Sequence, residues 1–595
     1  MKKLFKSFLH NISLLKRGFG PYKKQIAVLT LVGFLSGLLE GVGANALIPL
    51  FSFITGDGAG GEDFVSRSIE RVFGFVGVDF TLTYLLFFIA ALFILKAMVL
   101  FIGSYIQYKI AYGYEKRVRT ELFEKSLRST WGYLLNQKIG HLEKILSVEV
   151  RYVMRLLETV SSLVLILTSL LVFLAIAFNI SIQTTSIALA TGIVVMIVFQ
   201  PLINKIRKIT REVASRGRDI AHFVNENVLG MKTIKAMSVT SPVSLVGESN
   251  FEALRLLQIR RSLLSNAFGS FFQPFGVVFV LVLFAVSYKT STFSLPAFIA
   301  IVYLIQRIFT QVHGFQTHTQ TIFGMLPYLE NVLSYQEHVV QNQEQDEGSK
   351  PFRFEKTFSF NNISFGYKAD KNVLSNISFQ IAKGSFIGLI GPSGAGKTTI
   401  VDLVLRLFKP NSGDILVDGI SISEIDLHEF RKKVGYVSQD LHLINDTVAN
   451  NIRFFDDAIT DAKIQEAAKQ ANIQDTITSL PNGFDSIVGE RGVQFSAGQR
   501  QRIVIARVLA RNPRFLILDE ATSALDNESE KKIQEVIENL KGKITVLVIA
   551  HRLGTVMNCD ELLVLDRGEI IEKGKPKDLL ANEQAYFYKM YNIRE

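Results

Sequence analysis

Ahead of residue 330 the sequence returns repeatedly to apolar stretches of about 20 or more residues, roughly six in all, near 26–54, 82–107, 156–178, 180–203, 263–290 and 295–325. A bilayer offers no hydrogen-bond partner to a bare peptide group, so apolar stretches this long are expected to fold as membrane-crossing helices. The composition agrees, with 48% hydrophobic residues, 46 Phe and a mean hydropathy of +0.26, high for a soluble enzyme. The connections alternate in charge. Residues 108–155 and 204–262 are helical in pattern and carry about ten Lys and Arg each, whereas 55–81 and the turns near 179 and 291 carry few. The basic connections and both chain ends are therefore expected in the cytoplasm, which accounts for the net charge of +11 without nucleic acid. A single cysteine, Cys559, excludes an intrachain disulfide.

Flanking segments complete the plan. Residues 1–24 place Leu4, Phe8, Ile12 and Leu15 on one helical face among Lys2, Lys3, Lys6, Lys16 and Arg17, the pattern of an interfacial helix on the membrane. His10 and Asn11 interrupt the apolar run too early for a signal peptide. A membrane domain over 25–335 is followed by a polar, acidic stretch at 336–351 that reads as a linker. From 352 to 595 β-rich and helical runs alternate, as in an α/β domain with a largely parallel sheet.

That second domain opens on a phosphate cradle. Gly391-Pro392-Ser393-Gly394-Ala395-Gly396-Lys397-Thr398, followed by Thr399, fills G-x-x-x-x-G-K-[ST] between an apolar strand, Phe386 to Ile390, and a helical run. Its glycines let backbone N–H groups and a helix N-terminus converge on an anion; Lys397 then reaches the β- and γ-phosphates, and Thr398 offers a hydroxyl to Mg²⁺. Farther on, the strand Arg514 to Leu518 ends in Asp519-Glu520, at the edge where parallel sheets bind ligands. Asp519 is placed to hold Mg²⁺, and Glu520 to polarise an attacking water.

Between these motifs the run Phe495-Ser496-Ala497-Gly498-Gln499-Arg500-Gln501-Arg502 resembles the signature motif of ATP-binding cassette proteins. With the apolar stretches ahead of it, the chain resembles a half-size ATP-binding cassette exporter of the lipid flippase or multidrug type over nearly its whole length. The resemblance implies an α-helical transmembrane domain of six helices followed by an α/β P-loop NTPase domain, ATP and Mg²⁺ as cofactors, and residence in the cytoplasmic (inner) membrane. It makes Tyr367 the aromatic that stacks on adenine, Gln439 the loop glutamine that reaches the metal, Asp526 part of the D-loop and His551 the switch histidine on the γ-phosphate. Gly489-Glu490-Arg491-Gly492 resembles the exporter segment that meets the membrane domain. Taken singly, Tyr367 is equally a core aromatic, Gln439 a surface amide and His551 an ordinary satisfied histidine. Phe495 and Ala497 depart from the usual Leu-Ser-Gly-Gly-Gln; if position 497 needed a positive φ, its extra methyl would hinder approach to phosphate.

In that family two cassettes face head to tail, and Ser496 to Gln499 of one chain close on the cradle of the other, which implies a homodimer or a heterodimer with a second half-transporter. Thr130 to Tyr133 and Glu226 to Lys235 resemble coupling-helix regions, with Trp131 and Tyr133 expected near Gln439. A soluble cassette ATPase would lack the apolar stretches, and a nucleotide-gated channel would not need Glu520 and His551. For the cargo, Lys96 and Arg307 lie roughly 18 Å below the outer surface, where cations are costly. Gln306, Thr310, His313, Thr317 and Gln320 recur at helical spacing on the span that carries Arg307, so one polar cavity holding both cations points to an anionic amphipath, a lipid or lipid-linked saccharide. The competing expectation pairs Lys96 with Glu40 as a structural ion pair, and multidrug or peptide efflux is the alternative function.

Overall fold

The computed structural model describes residues 2–55, 64–137, 140–288, 295–368, 371–519, 526–550 and 553–589. The chain divides into two compact units, residues 1–128 with 137–342, and residues 129–136 with 343–595.

The first unit is helical: α1 (Lys2–Phe19), α2 (Lys23–Asn45), α3 (Leu47–Thr55), α4 (Phe64–Val76) and α5 (Leu82–Leu127) precede α6 (Trp131–Leu135), which groups with the second unit. Then follow α7 (His141–Lys144), α8 (Val150–Ile180), α9 (Ile182–Leu229), α10 (Met231–Ala236), α11 (Thr240–Ser287) and α12 (Leu295–Gln341). The basic connections are not loops but continuations of these helices, so one 46-residue helix, α5, serves as both span and cytoplasmic strut. Among the described residues four helical segments combine the length and hydropathy of a membrane span, Leu9–Phe53, Leu82–Leu127, His141–Ile180 and Phe298–Gln341. The described residues of the six expected stretches fall almost entirely on helix, but α9 and α11 are not among these four.

Small residues allow the central contact. Gly33, Gly37 and Gly41 recur every fourth residue on α2, and a Cβ at Gly33 or Gly41 would stand 2.2 Å from Thr168 Oγ1 or 2.1 Å from Ile176 Cδ1 on α8. Without a hydrophobic drive between helices in lipid, such close backbone approach is what holds them together. On the other face of α8, Tyr152 stacks on Tyr328 of α12 with centroids 4.3 Å apart. The N-terminal helix also packs on α12. His10 lies 3.9 Å from Glu330, Arg17 pairs with Glu337, and Gly18 sits against Leu329. These three contacts fasten α1 to α12, an anchorage that its amphipathic pattern did not specify.

The second unit holds two sheets. β1 (Thr357–Phe365), β2 (Leu374–Ala382), β4 (Ser412–Val417) and β5 (Ile420–Ser421) form an antiparallel sheet in the order β2-β1-β4-β5. β3 (Phe386–Ile390), β6 (Val434–Val437), β7 (Phe515–Asp519), β8 (Thr545–Ile549), β9 (Glu561–Asp566) and β10 (Glu569–Gly574) form a second sheet in the order β10-β9-β3-β8-β7-β6, parallel except for β10. Helix α13 (Lys397–Val404) shares a core with both, where Phe358 lies 5.0 Å from Phe515 and each buried aromatic contributes about 1.5–3 kcal/mol. A second core gathers the helices α15 (Val448–Arg453), α16 (Asp461–Gln470), α17 (Gln474–Thr478), α18 (Ala497–Leu509) and α19 (Asn527–Leu540), which follow α14 (Leu427–Lys433).

The stretch expected as a linker is different. It is helix to Gln341, and beyond that it is fastened down: Arg431 forks onto Glu344 at 2.9 and 2.6 Å, and Asp346 accepts from Leu427 N at 3.2 Å. Part of its acidic composition serves basic partners in the C-terminal domain, Arg431 for Glu344 and Arg406 for Asp346.

Candidate functional site

β3 is buried along its whole length, and the chain leaves it through a turn that only glycine can make. A Cβ at Gly391 would stand 2.1 Å from the Leu565 carbonyl oxygen, and Gly396 has φ +107 with Leu374 Cδ2 2.6 Å from its missing Cβ. Pro392, Ser393, Gly394 and Ala395 complete the loop, and Ala395 N donates back to Pro392 O at 3.2 Å. Lys397, 6% exposed, arches over it: Nζ donates to Gly391 O and Pro392 O, each at 3.0 Å. A held ammonium beside a helix N-terminus is an anion receptor. Thr398 is exposed at the first turn of α13, while Thr399 is buried.

The parallel register brings the other residues to the same edge. Leu389 lies opposite Ile549, Asp519 opposite Ile549, and Val437 opposite Leu518, so the cradle, Asp519 and Gln439 emerge together at the C-terminal ends of β3, β7 and β6. Asp519 is 5% exposed, and its Oδ2 accepts from the Tyr436 hydroxyl at 3.3 Å. Burial and the adjacent Asp519 charge raise the Tyr436 phenol above its ordinary range, so it remains a donor. Tyr436 was not singled out from sequence; its signal was its place on a strand three residues before Gln439. A carboxylate, a hydroxyl and an amide are hard oxygen donors, the chemistry that suits Mg²⁺ together with phosphate oxygens. Glu520 and His551 lie outside the described residues, one step beyond Asp519 and Ala550.

Tyr367 is half exposed, with its hydroxyl 3.1 Å from Thr399 Oγ1 and donating to Asp402 Oδ2 at 3.3 Å. Its ring meets Phe365 and Phe408 edge-on. The departures in the signature run have a structural answer. Phe495, 5% exposed, fills the core, and Ser496 caps α18 in a reciprocal box with Gln499, N–H to Oγ at 3.3 Å and N–H to Oε1 at 2.9 Å. Ala497 is an ordinary first-turn residue without positive φ, so the methyl adds no backbone strain; the close approach is at Gly498, whose missing Cβ faces Ser529 Oγ at 2.5 Å. Asp526 caps α19 by accepting from Ser529 N at 3.1 Å, and that serine's hydrogen bonds hold its carboxyl below the usual range.

In the membrane unit the expected cavity divides in two. Glu40, 5% exposed, pairs with Lys96 Nζ at 2.9 Å and Arg307 Nε at 2.7 Å, and its Oε1 also accepts from the Tyr303 hydroxyl at 3.2 Å. The structural pairing of Lys96 thus holds, and Arg307 shares the same carboxylate. Gln306, Thr310 and His313 instead line a cleft of about 430 Å³ between α11 and α12, walled by Val277, Val280, Leu281 and Phe309. Adjacent residues on a helix diverge by about 100°, which separates Gln306 from Arg307. The two segments likened to coupling helices form short separate helices, α6 and α10. Within α6, Gly132 meets Phe408: a Cβ there would stand 3.1 Å from Phe408 Cε1.

Residues 374–523 match the family model described as ABC transporter, and 26–242 match that of the ABC transporter transmembrane region. An ATP-dependent lipid A-core flippase of Syntrophus aciditrophicus is 35% identical over 68% of this chain and 68% of its own length. The heterocyst differentiation ATP-binding protein HepA of Nostoc sp. is 29% identical over 97% of this chain and 96% of its own. A bacterial Atm1-family ABC exporter solved with ATP bound superposes with a TM-score of 0.73 at 22% identity, covering 96% of this chain and 99% of that one, a likeness of fold.

Proposed function

Because this chain belongs to the ATP-binding cassette transporter family, as a half-size member with one membrane domain and one ATPase domain on the cytoplasmic side, we propose that it uses ATP hydrolysis to flip or export an amphipathic, anionic lipid or lipid-linked saccharide. The cradle would bind phosphate, Thr398, Asp519 and Gln439 would hold Mg²⁺, which would supply neutralisation of phosphate charge, and Tyr367 would stack on the base. Glu520 orients and deprotonates water, and His551 donates toward the γ-phosphate. A second cassette must supply Ser496 to Gln499 and Asp526. The half-size architecture implies a dimer, and the simplest is a homodimer with six spans in each chain.

The observation that carries the substrate reading is the asymmetry of the Glu40 cluster. One carboxylate faces two cations, so the cluster keeps a net positive charge inside a membrane domain, where ionised groups mark substrate pathways. Lys96 is largely buried against Glu40, whereas the Arg307 side chain is 39% exposed. Its polar contacts, to Glu40 and to the Tyr303 hydroxyl at 3.2 Å, use Nε, its guanidinium lies 5.4 Å from the Tyr303 ring centroid, and the terminal nitrogens offer a fork to a phosphate or carboxylate. Relatives named as lipid A-core flippases support a lipid of this kind. The apolar cleft between α11 and α12 favours a second reading, efflux of neutral amphiphiles. In proteoliposomes, Arg307→Gln is expected to abolish ATPase stimulation by anionic lipids and spare basal hydrolysis, with Lys96→Gln the milder variant. Stimulation confined to neutral or cationic amphiphiles would reject the anionic reading.

A further inference from the structure

Helix α6 lies in the connection between α5 and α8, yet it groups with the C-terminal domain and is fixed there at two points. Ser129 forms an antiparallel bridge with Gln343, whose amide also donates to Ser129 Oγ at 3.4 Å. Three residues on, Gly132 presents bare backbone to the Phe408 ring, with the position of its missing Cβ 3.1 Å from Cε1, 3.9 Å from Cζ and 4.0 Å from Cδ1. Asn136 Nδ2 donates to Gly132 O at 2.8 Å and fixes the turn that makes this contact. Phe408 also packs on Tyr367. Its centroid is 5.3 Å from that of Tyr367 at 85°, and Phe365 packs on both rings at 5.5 and 5.1 Å. Tyr367 is tied in turn to Thr399 and Asp402 on α13, whose N-terminus closes the cradle. The contacts therefore run from Gly132 through Phe408 to Tyr367, whose ring packs edge-to-face on Phe408, so that a displacement of one ring presses on the other.

We propose that Phe408 is a positioning residue that transmits occupancy of the nucleobase site at Tyr367 to α6, and so to the connection between α5 and α8. The inference rests on Tyr367 being the residue that stacks on the base. A purine against the exposed face of Tyr367 fixes that ring; the tyrosine edge sets Phe408, and Phe408 sets the backbone at Gly132. Glycine gives the closest approach there, since a methyl would press the ring away by a few tenths of an ångström. Phosphate alone, held by the loop and Lys397, does not touch this path. By linkage, whatever moves α6 changes the affinity for the base by the same factor.

The chain carries its own reporter, since its single tryptophan, Trp131, is the first residue of α6 and the neighbour of Gly132. The full-length protein in lipid nanodiscs is titrated with Mg-ADP and, separately, with Mg-tripolyphosphate, while Trp131 emission is followed and binding is measured independently with radiolabelled ADP. ADP is expected to shift the emission and tripolyphosphate to leave it unchanged. Phe408→Leu, which keeps an apolar side chain in place, should lose the shift while ADP affinity changes by less than about threefold, and Phe408→Tyr should restore it. An equal shift with tripolyphosphate, or an undiminished shift in Phe408→Leu, would overturn the proposal. Tyr367→Ala separates the two readings. If it binds ADP as tightly as the parent, the stacking role fails; if it loses affinity while Phe408→Leu keeps its shift, only the relay fails.

Discussion

Changing Glu520 to Gln is expected to slow ATP turnover by about 10²- to 10⁴-fold while ATP still binds. Gln keeps the size of the side chain but cannot accept a proton from water. The neighbouring carboxylate cannot take over, because Asp519 is buried and accepts from Tyr436 at the end of β7. Lys397→Ala should fail in the opposite way, by losing nucleotide affinity, since it removes the ammonium that closes the loop over Gly391 and Pro392. Steady-state ATPase at saturating ATP together with a nucleotide Kd for each variant distinguishes the two. A Glu520→Gln protein that turns over ATP at close to the parental rate would refute the role given to Glu520.

The largest loss of stability is expected at Glu40. Glu40→Gln leaves Lys96 and Arg307 facing each other without their shared counterion, and removing one partner from such a buried cluster costs about 3–5 kcal/mol. Lys96→Gln leaves the Glu40–Arg307 pair intact and should cost less, and Lys96→Gln in the Glu40→Gln background should recover part of the loss by removing one of the two opposed cations. Thermal unfolding of the purified protein in nanodiscs gives the order directly. Equal melting temperatures for the parent and Glu40→Gln would mean that the cluster contributes nothing to the packing of α2, α5 and α12.

What the sequence made legible follows from how local the signal was. The phosphate loop and Asp519 could be read because each motif is contiguous and its strand and helix flanks are strongly patterned. The pairing of Lys96 with Glu40 was visible as one possibility, but the entry of Arg307 into it was not. That contact depends on the rotation of α12 relative to α2, and the polar spacing of Gln306, Thr310 and His313 drew Arg307 toward the wrong face. Its local clue was Tyr303, four residues back on the same face and bonded to both Arg307 and Glu40. The stretch around Glu344 and Asp346 reads as linker by composition, because nothing local announces that Arg431, 87 residues after Glu344, will hold it. The same holds for Gly132, whose partner Phe408 lies in another domain of the sequence. The Gly33, Gly37, Gly41 spacing, by contrast, was available in the sequence as a helix-packing pattern.

The central claim is that hydrolysis at this site moves an anionic amphipath across the membrane. Its most direct test is transbilayer transfer of a fluorescent anionic lipid in proteoliposomes containing the purified protein, followed by quenching of the outer leaflet, with the parent compared with Glu520→Gln. The account predicts ATP-dependent transfer in the parent, none in Glu520→Gln, and little transfer of a cationic amphiphile under the same conditions. Robust ATP hydrolysis without transfer of the anionic lipid, or equal transfer by the Glu520→Gln protein, would contradict it.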